Sequence, residues 1–156
     1  MGLRWTINYI GEVLHGKVLG AGDVVINSMA IDSRTVSSAD ETLFIALRGD
    51  QHDGHEFIKD LYEKGIRAFL GSQLPDYDNF PEAGFCLVQD TLSGLQELAA
   101  EWRSKYGGEV LAITGSNGKT IVKEWIFQCM SASLSLHRSP KSYNSQVGVP
   151  LSVLMI

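Results

Sequence analysis

Ile113 to Thr120 (ITGSNGKT) carries the strongest chemical pattern in the chain. It lies between an apolar stretch, Glu109 to Thr114, and an amphipathic one, Lys119 to Met130. A buried strand, a tight glycine turn and a helix form an arrangement that binds phosphate. Glycines let successive backbone N–H groups curl toward phosphate oxygens. The helix that follows aims its positive dipole end at the same place. Gly115, Ser116, Asn117, Gly118, Lys119 and Thr120 are therefore the candidate nucleotide-binding residues. Lys119 is suited to neutralise β- and γ-phosphates, and Thr120 to offer its hydroxyl to Mg²⁺. The spacing departs from the standard G-x-x-x-x-G-K-[ST], because Ile113 stands where the first glycine would be. The alternative is a glycine-rich turn with an incidental lysine, and the flanking strand and helix weigh against it.

Two further polar clusters follow apolar stretches. Asp32-Ser33-Arg34 comes after Val24 to Ile31, and Gly49 to His55 (GDQHDGH) after Thr42 to Leu47. Open α/β sheets bind ligands at the carboxyl ends of their strands. Arg34 can pair with a phosphate, Ser33 can donate to one, and a helix opening after Gly54 can accept an anion. A turn closed by a local Asp32–Arg34 ion pair explains the first cluster equally well. His52 and His55 raise the question of a metal. Zinc sites usually take three or four ligands and no third is evident, so a solvated or substrate-contacting loop is the better reading. Cys86 and Cys129 read as buried, inert thiols. Trp5, Trp102 and Trp125 read as core, and Lys59, Lys64, Arg103 and Lys105 as solvated helix faces.

The elements that must position these groups alternate between helix and strand. Thr6 to Leu14 reads as a helix capped by Thr6. Val24 to Ile31, Thr42 to Leu47, Arg67 to Leu70 and Phe85 to Val88 read as strands. His55 to Lys64 reads as a helix ended by Gly65. Thr91 is expected to cap a helix reaching about Tyr106, with Leu92, Leu95, Leu98, Ala99 and Trp102 inward. Beyond the Gly107-Gly108 hinge, strand Glu109 to Thr114, helix Lys119 to Met130 and a second strand at Leu134 to His137 are expected. A further helix opens at Gly148 with Pro150 in its first turn. The fold class is α/β, with a boundary near residue 107.

The chain has 156 residues and a formal net charge of −5, with 13 Lys+Arg against 18 Asp+Glu. No basic surplus advertises a nucleic-acid partner. No apolar run approaches the ~18 residues of a membrane span, and residues 1–15 lack a secretory cleavage pattern. Two cysteines make no disulfide framework. A cytoplasmic location is the expectation. The chain ends on the apolar run Val149 to Ile156. Termini are usually polar and loosely packed, so the expectation is a chain cut short.

Three segments together resemble the Mur ligase family. Thr114 to Thr120 is similar to the short phosphate loop of Mur ligases and the related folylpolyglutamate synthases. Asp32-Ser33-Arg34, with Gly49, Gln51, Asp53 and Gly54, resembles the UDP-binding amino-terminal module of the members that act late in the series. Tyr143-Asn144-x-x-Val147-Gly148-Val149-Pro150, and Ile-Val-Lys-Glu after Thr120, resemble the member that adds D-alanyl-D-alanine. The resemblance covers nearly the whole chain in order.

It implies residues 1–107 as the UDP-substrate module and 108–156 as the start of a P-loop, parallel-sheet ATP-binding domain. The implied chemistry is ATP- and Mg²⁺-dependent amide formation. The terminal carboxylate of UDP-MurNAc-tripeptide becomes an acyl phosphate, which the amine of D-alanyl-D-alanine attacks. Lys119 and Asn144 take catalytic roles, and Thr120 the metal. Ser33, Arg34, Gln51 and His52 hold the uridine diphosphate. A βαβ unit takes about 30 residues, so residues 108–156 hold one unit and a stub. The expectation is that this chain alone does not turn over. It is also that an intact enzyme is a monomer, and that an unpaired strand edge here favours self-association or partial disorder. Alternatives are the diaminopimelate- or lysine-adding member, or a UDP-sugar-binding module without chemistry. A small P-loop kinase or GTPase is disfavoured by the short loop and its late position.

Overall fold

The computed structural model describes residues 3–34, 36, 41–49, 52–73, 77–140 and 143–156. Strand β1 (Trp5–Thr6) leads into helix α1 (Ile7–Leu14), where the Thr6 hydroxyl accepts from the Tyr9 N–H at 3.2 Å. Strands β2 (Lys17–Gly20), β3 (Val25–Ile26), β4 (Ser28–Ala30) and β5 (Thr42–Ile45) follow. A 3₁₀ turn (Gly54–Phe57) then runs into α2 (Ile58–Glu63). Strands β6 (Ala68–Gly71) and β7 (Gly84–Leu87) precede α3 (Thr91–Lys105), α4 (Lys119–Met130) and α5 (Gly148–Leu154).

Five strands form one sheet in the order β2-β7-β6-β5-β4. The β4-β5-β6-β7 pairs are all parallel, and β2 closes one edge antiparallel to β7. β1 and β3 form a separate antiparallel pair. Strands buried on both faces must be apolar throughout, and β5 (TLFI) and β6 (AFLG) are buried at every position. Their side chains alternate between two cores. Leu43, Ile45, Ala68, Leu70 and Cys86 face α1 and α3. Phe44, Phe69 and Phe85 face α2, with Ile58, Leu61 and Phe80.

Several expectations change. The stretch Val24 to Ile31 is not one strand. It breaks at Asn27 into β3 and β4, which belong to different sheets. β1 and β2 were not expected, since two and four residues with mixed exposure carry little periodicity. The cap of α3 is Asp90 rather than Thr91. Its carboxylate accepts from the N–H groups of Leu92 at 3.3 Å and Ser93 at 2.9 Å, while Thr91 is buried. The helix expected from His55 begins one residue earlier, as the 3₁₀ turn.

After α3 the chain leaves the sheet. Among the described residues neither Glu109 to Thr114 nor Leu134 to His137 forms a strand, because no neighbouring strand offers hydrogen bonds. Helix α4 forms over the expected residues and has no buried residue. Its Trp125, expected in the core, is 62% exposed, and Cys129 is exposed as well. Cys86 does read correctly. Burial pushes its thiol up to about 11. Arg138 pairs with Glu124 and stacks 4.1 Å over the Phe127 ring, and Lys123 Nζ donates to the Ser139 carbonyl at 2.7 Å. Helix α5 then returns to the first module and packs on α3. Leu151 is buried there, and Trp102 Nε1 donates to the Ile156 carbonyl at 2.9 Å.

Candidate functional site

The parallel strands end together along one edge, and each is followed by a polar segment. After β4 comes Asp32-Ser33-Arg34, after β5 the stretch Arg48 to His55, and after β6 Ser72 and Gln73. Ser33 and Arg34 thus follow β4, and His52 follows the adjacent parallel strand β5. Gln51, the fourth expected substrate residue, lies outside the described residues.

Arg34 is oriented by its neighbour. Its Nε donates to Asp32 Oδ1 at 2.9 Å and its Nη2 to Oδ2 at 2.7 Å, while its backbone N–H bonds Oδ1 at 3.0 Å. The local ion pair is therefore formed, and it does not use the guanidinium up, since the Arg34 side chain is 86% exposed. A planar, fixed guanidinium is suited to two oxygens of one phosphate.

Sequence reasoning missed the second charge pair. Arg48 Nε and Nη2 reach Asp53 Oδ2 at 3.0 and 2.9 Å. The Gly49 N–H donates to the His52 carbonyl at 2.9 Å. Arginine and aspartate bracketing a glycine-bearing loop five residues apart was the available signal. Asp53 also caps the 3₁₀ turn through the His55 N–H at 3.0 Å. His55 has no ring nitrogen free for a metal. Both ring nitrogens of His55 are already engaged by protein groups, and no cluster of three metal-ligating side chains occurs among the described residues.

These contacts set an acid limit. Hydrogen bonds from Arg34 hold Asp32 down to about 2, and those from the His55 N–H and ring do the same for Asp53, both from 3.8. A depressed carboxylate stabilises the fold above its unfolded value, and that contribution is lost as pH falls through the folded value. Asp53→Asn is therefore expected to lower the melting temperature at near-neutral pH. The deficit should shrink below 3.8 and vanish near about 2. A deficit that persists unchanged in acid would contradict it.

The glycine loop leads into α4 through a left-handed glycine. Gly118 caps α4 at φ +78°, no atom lies where its Cβ would be, and no side chain caps the helix. Its first-turn N–H groups are thus not taken by a side-chain cap. Lys119 Nζ folds back to donate to the Gly115 carbonyl, and Thr120 is exposed. Asn144 lies on the turn into α5, and among the described residues no hydrogen bond joins it to Lys119 or Thr120. No helix of the described residues is long and apolar enough to cross a membrane.

The chain resembles proteins of known chemistry. It is 34% identical over 155 residues to UDP-N-acetylmuramoyl-tripeptide–D-alanyl-D-alanine ligase of Bacillus subtilis, covering 97% of this chain and 33% of that protein. The Escherichia coli ligase of the same name is 32% identical, covering 97% and 32%. A crystal structure of MurF from Acinetobacter baumannii superposes with a TM-score of 0.85 at 26% identity, over 99% of this chain and 34% of that one. MurF from Thermotoga maritima, solved in complex with ADP, gives 0.69 at 29% identity, over 81% and 28%. The chain thus spans about a third of the length of the relatives it matches. A family profile described as "Mur ligase family, catalytic domain" matches residues 25–103, which are most of the sheet and α3 and stop short of the glycine loop. With that match over half its length, and with the sheet edge and glycine loop just described, the chain belongs to the Mur ligase family.

Proposed function

We propose that the protein serves the ATP-dependent addition of D-alanyl-D-alanine to UDP-MurNAc-tripeptide, through an acyl phosphate, in the cytoplasmic synthesis of peptidoglycan precursors. Residues 1–107 hold the uridine diphosphate end of the substrate, and 108–156 contribute the phosphate loop for ATP. The observation that carries this reading is the row of polar segments at the carboxyl ends of β4, β5 and β6, in a chain whose relatives bear that ligase name.

Bound ATP with Mg²⁺ supplies a phosphoryl group that turns a poor electrophile, a carboxylate, into a good one. The residues present fit that group. The uncapped first turn of α4 offers N–H donors, Lys119 offers a cation and Thr120 a hydroxyl for the metal. Asn144 is the second residue assigned beside the nucleotide. In the first module, Arg34 neutralises a phosphate of the UDP moiety and Ser33 donates to it, with His52 and Gln51 the further residues assigned to the substrate. Positioning the substrate's far end in this way fixes its reacting carboxylate in line.

Titration calorimetry with UDP-MurNAc-tripeptide tests the reading. Wild type is expected to bind, and Arg34→Ala to bind about tenfold or more weakly, the loss of one charge-assisted phosphate contact. Equal affinity would remove Arg34 from the site. Preference for a diaminopimelate- or lysine-lacking substrate would instead favour the neighbouring member of the series.

A further inference from the structure

His55 is nearly enclosed, with a side chain 10% exposed, and both of its ring nitrogens have partners. Nε2 accepts from the Ser72 N–H at 2.9 Å and lies 3.3 Å from the Gln73 nitrogen. Backbone N–H groups only donate, so Nε2 must carry a lone pair rather than a proton. The ring proton therefore sits on Nδ1, which faces Asp53 Oδ1. The other oxygen of Asp53 takes both Nε and Nη2 of Arg48. A continuous chain thus runs from Arg48 through Asp53 and His55 to Ser72. It joins the segment after β5 to the segment after β6. The fit is close, since a Cβ on Gly71 would lie 3.1 Å from Nε2. His52 stands on this base, through its carbonyl's bond to the Gly49 N–H.

We infer that His55, fixed as the Nδ1–H tautomer, is a positioning residue. It ties Arg48, His52 and Asp53 to the segment after β6 and so holds the UDP-binding edge in its binding geometry. The inference rests on the UDP-binding reading above. Both ring nitrogens of His55 are taken by protein groups. It acts through the residues on either side of it. Its ring is matched to the task because one nitrogen meets a carboxylate and the other a pair of donors. No neutral amide side chain reaches both.

Two substitutions separate the two bonds. His55→Asn keeps a donor for Asp53 but falls short of Ser72. His55→Gln reaches Ser72 but offers Asp53 no donor at the Nδ1 position. Imidazole ¹⁵N spectra of the wild-type chain are expected to show a protonated Nδ1 and an unprotonated Nε2. Calorimetry with UDP as the probe is expected to show both variants binding about tenfold or more weakly, with circular dichroism unchanged, because a misaligned charge-assisted contact loses about that much affinity. A protonated Nε2 in the wild type would overturn the lock. A wild type that binds UDP no better than either variant would overturn the positioning role. A wild type with the lock intact that does not bind UDP would overturn the function proposed for the module, and the positioning role with it.

Discussion

Phe85→Ala is expected to remove about 3–5 kcal/mol of folding stability, the range for deleting a buried aromatic ring. Phe85 is 1% exposed on β7, between β2 and β6. Its ring stacks on Phe69 at 5.2 Å with 17° between planes, and meets Phe80 edge-on at 5.8 Å. Ring contacts of this kind add about 0.5–1.5 kcal/mol beyond the buried area. Phe69 and Phe85 are paired across parallel strands, so the backbone cannot close the gap left by one ring without breaking the ladder. Domains of this size are stable by about 5–15 kcal/mol, so the loss is a large fraction of the total. Urea unfolding should show a lower midpoint with an unchanged slope. Phe85→Leu should cost clearly less, because it keeps most of the volume. A change of less than about 1 kcal/mol for the alanine variant would show that this core is not where stability resides.

Gly54→Ala is expected to act mainly on binding. A Cβ there would lie 2.9 Å from Ala46 Cα, Leu47 N and Leu47 O. All three are backbone atoms, so no side-chain rotation relieves the clash. The conflict is one of space, since Gly54 is not among the residues with positive φ. Gly54 also donates its N–H to the Leu47 carbonyl at 2.9 Å, which is how the turn is pressed against the end of β5. Forcing an extra carbon into such a contact costs about 1–3 kcal/mol. The larger consequence is displacement of the neighbouring Asp53 and His55, and with them Arg48 and His52. Misaligning one or two charge-assisted phosphate contacts, worth about 1.5–3 kcal/mol each, costs about tenfold to a hundredfold in affinity. Calorimetry should therefore show UDP affinity falling by a factor in that range while the variant still unfolds cooperatively. Unchanged affinity would separate this turn from the site.

Much of this was readable from residue types. The apolar runs of β5, β6 and β7 are buried on both faces, and such strands advertise themselves without periodicity. Thr6 announced the start of α1, and α4 formed over the expected residues. The misses have physical causes. Asp90 outcompeted Thr91 as a cap because its carboxylate takes two N–H groups and the Ser93 hydroxyl. Trp125 and Cys129 were read as buried from helical spacing, but spacing supplies a face and not a partner for it. Glu109 to Thr114 has strand composition, and composition alone does not supply the neighbour that makes a strand. In the candidate site, Ser33, Arg34 and His52 were singled out from residue type and from their place after apolar strands. Arg48 and His55 were not, because their roles lie in contacts to Asp53 and Ser72 that only the folded sheet edge creates.

In the proposed function, the carboxyl ends of β4 and β5 form a UDP-binding edge. Titrating ¹⁵N-labelled protein with UDP and following backbone amide shifts tests it most directly. Shifts are expected to cluster on Asp32 to Arg34 and on His52 to His55, with those of α4 unchanged. Shifts confined to Gly115 to Thr120, or none at millimolar UDP, would contradict it.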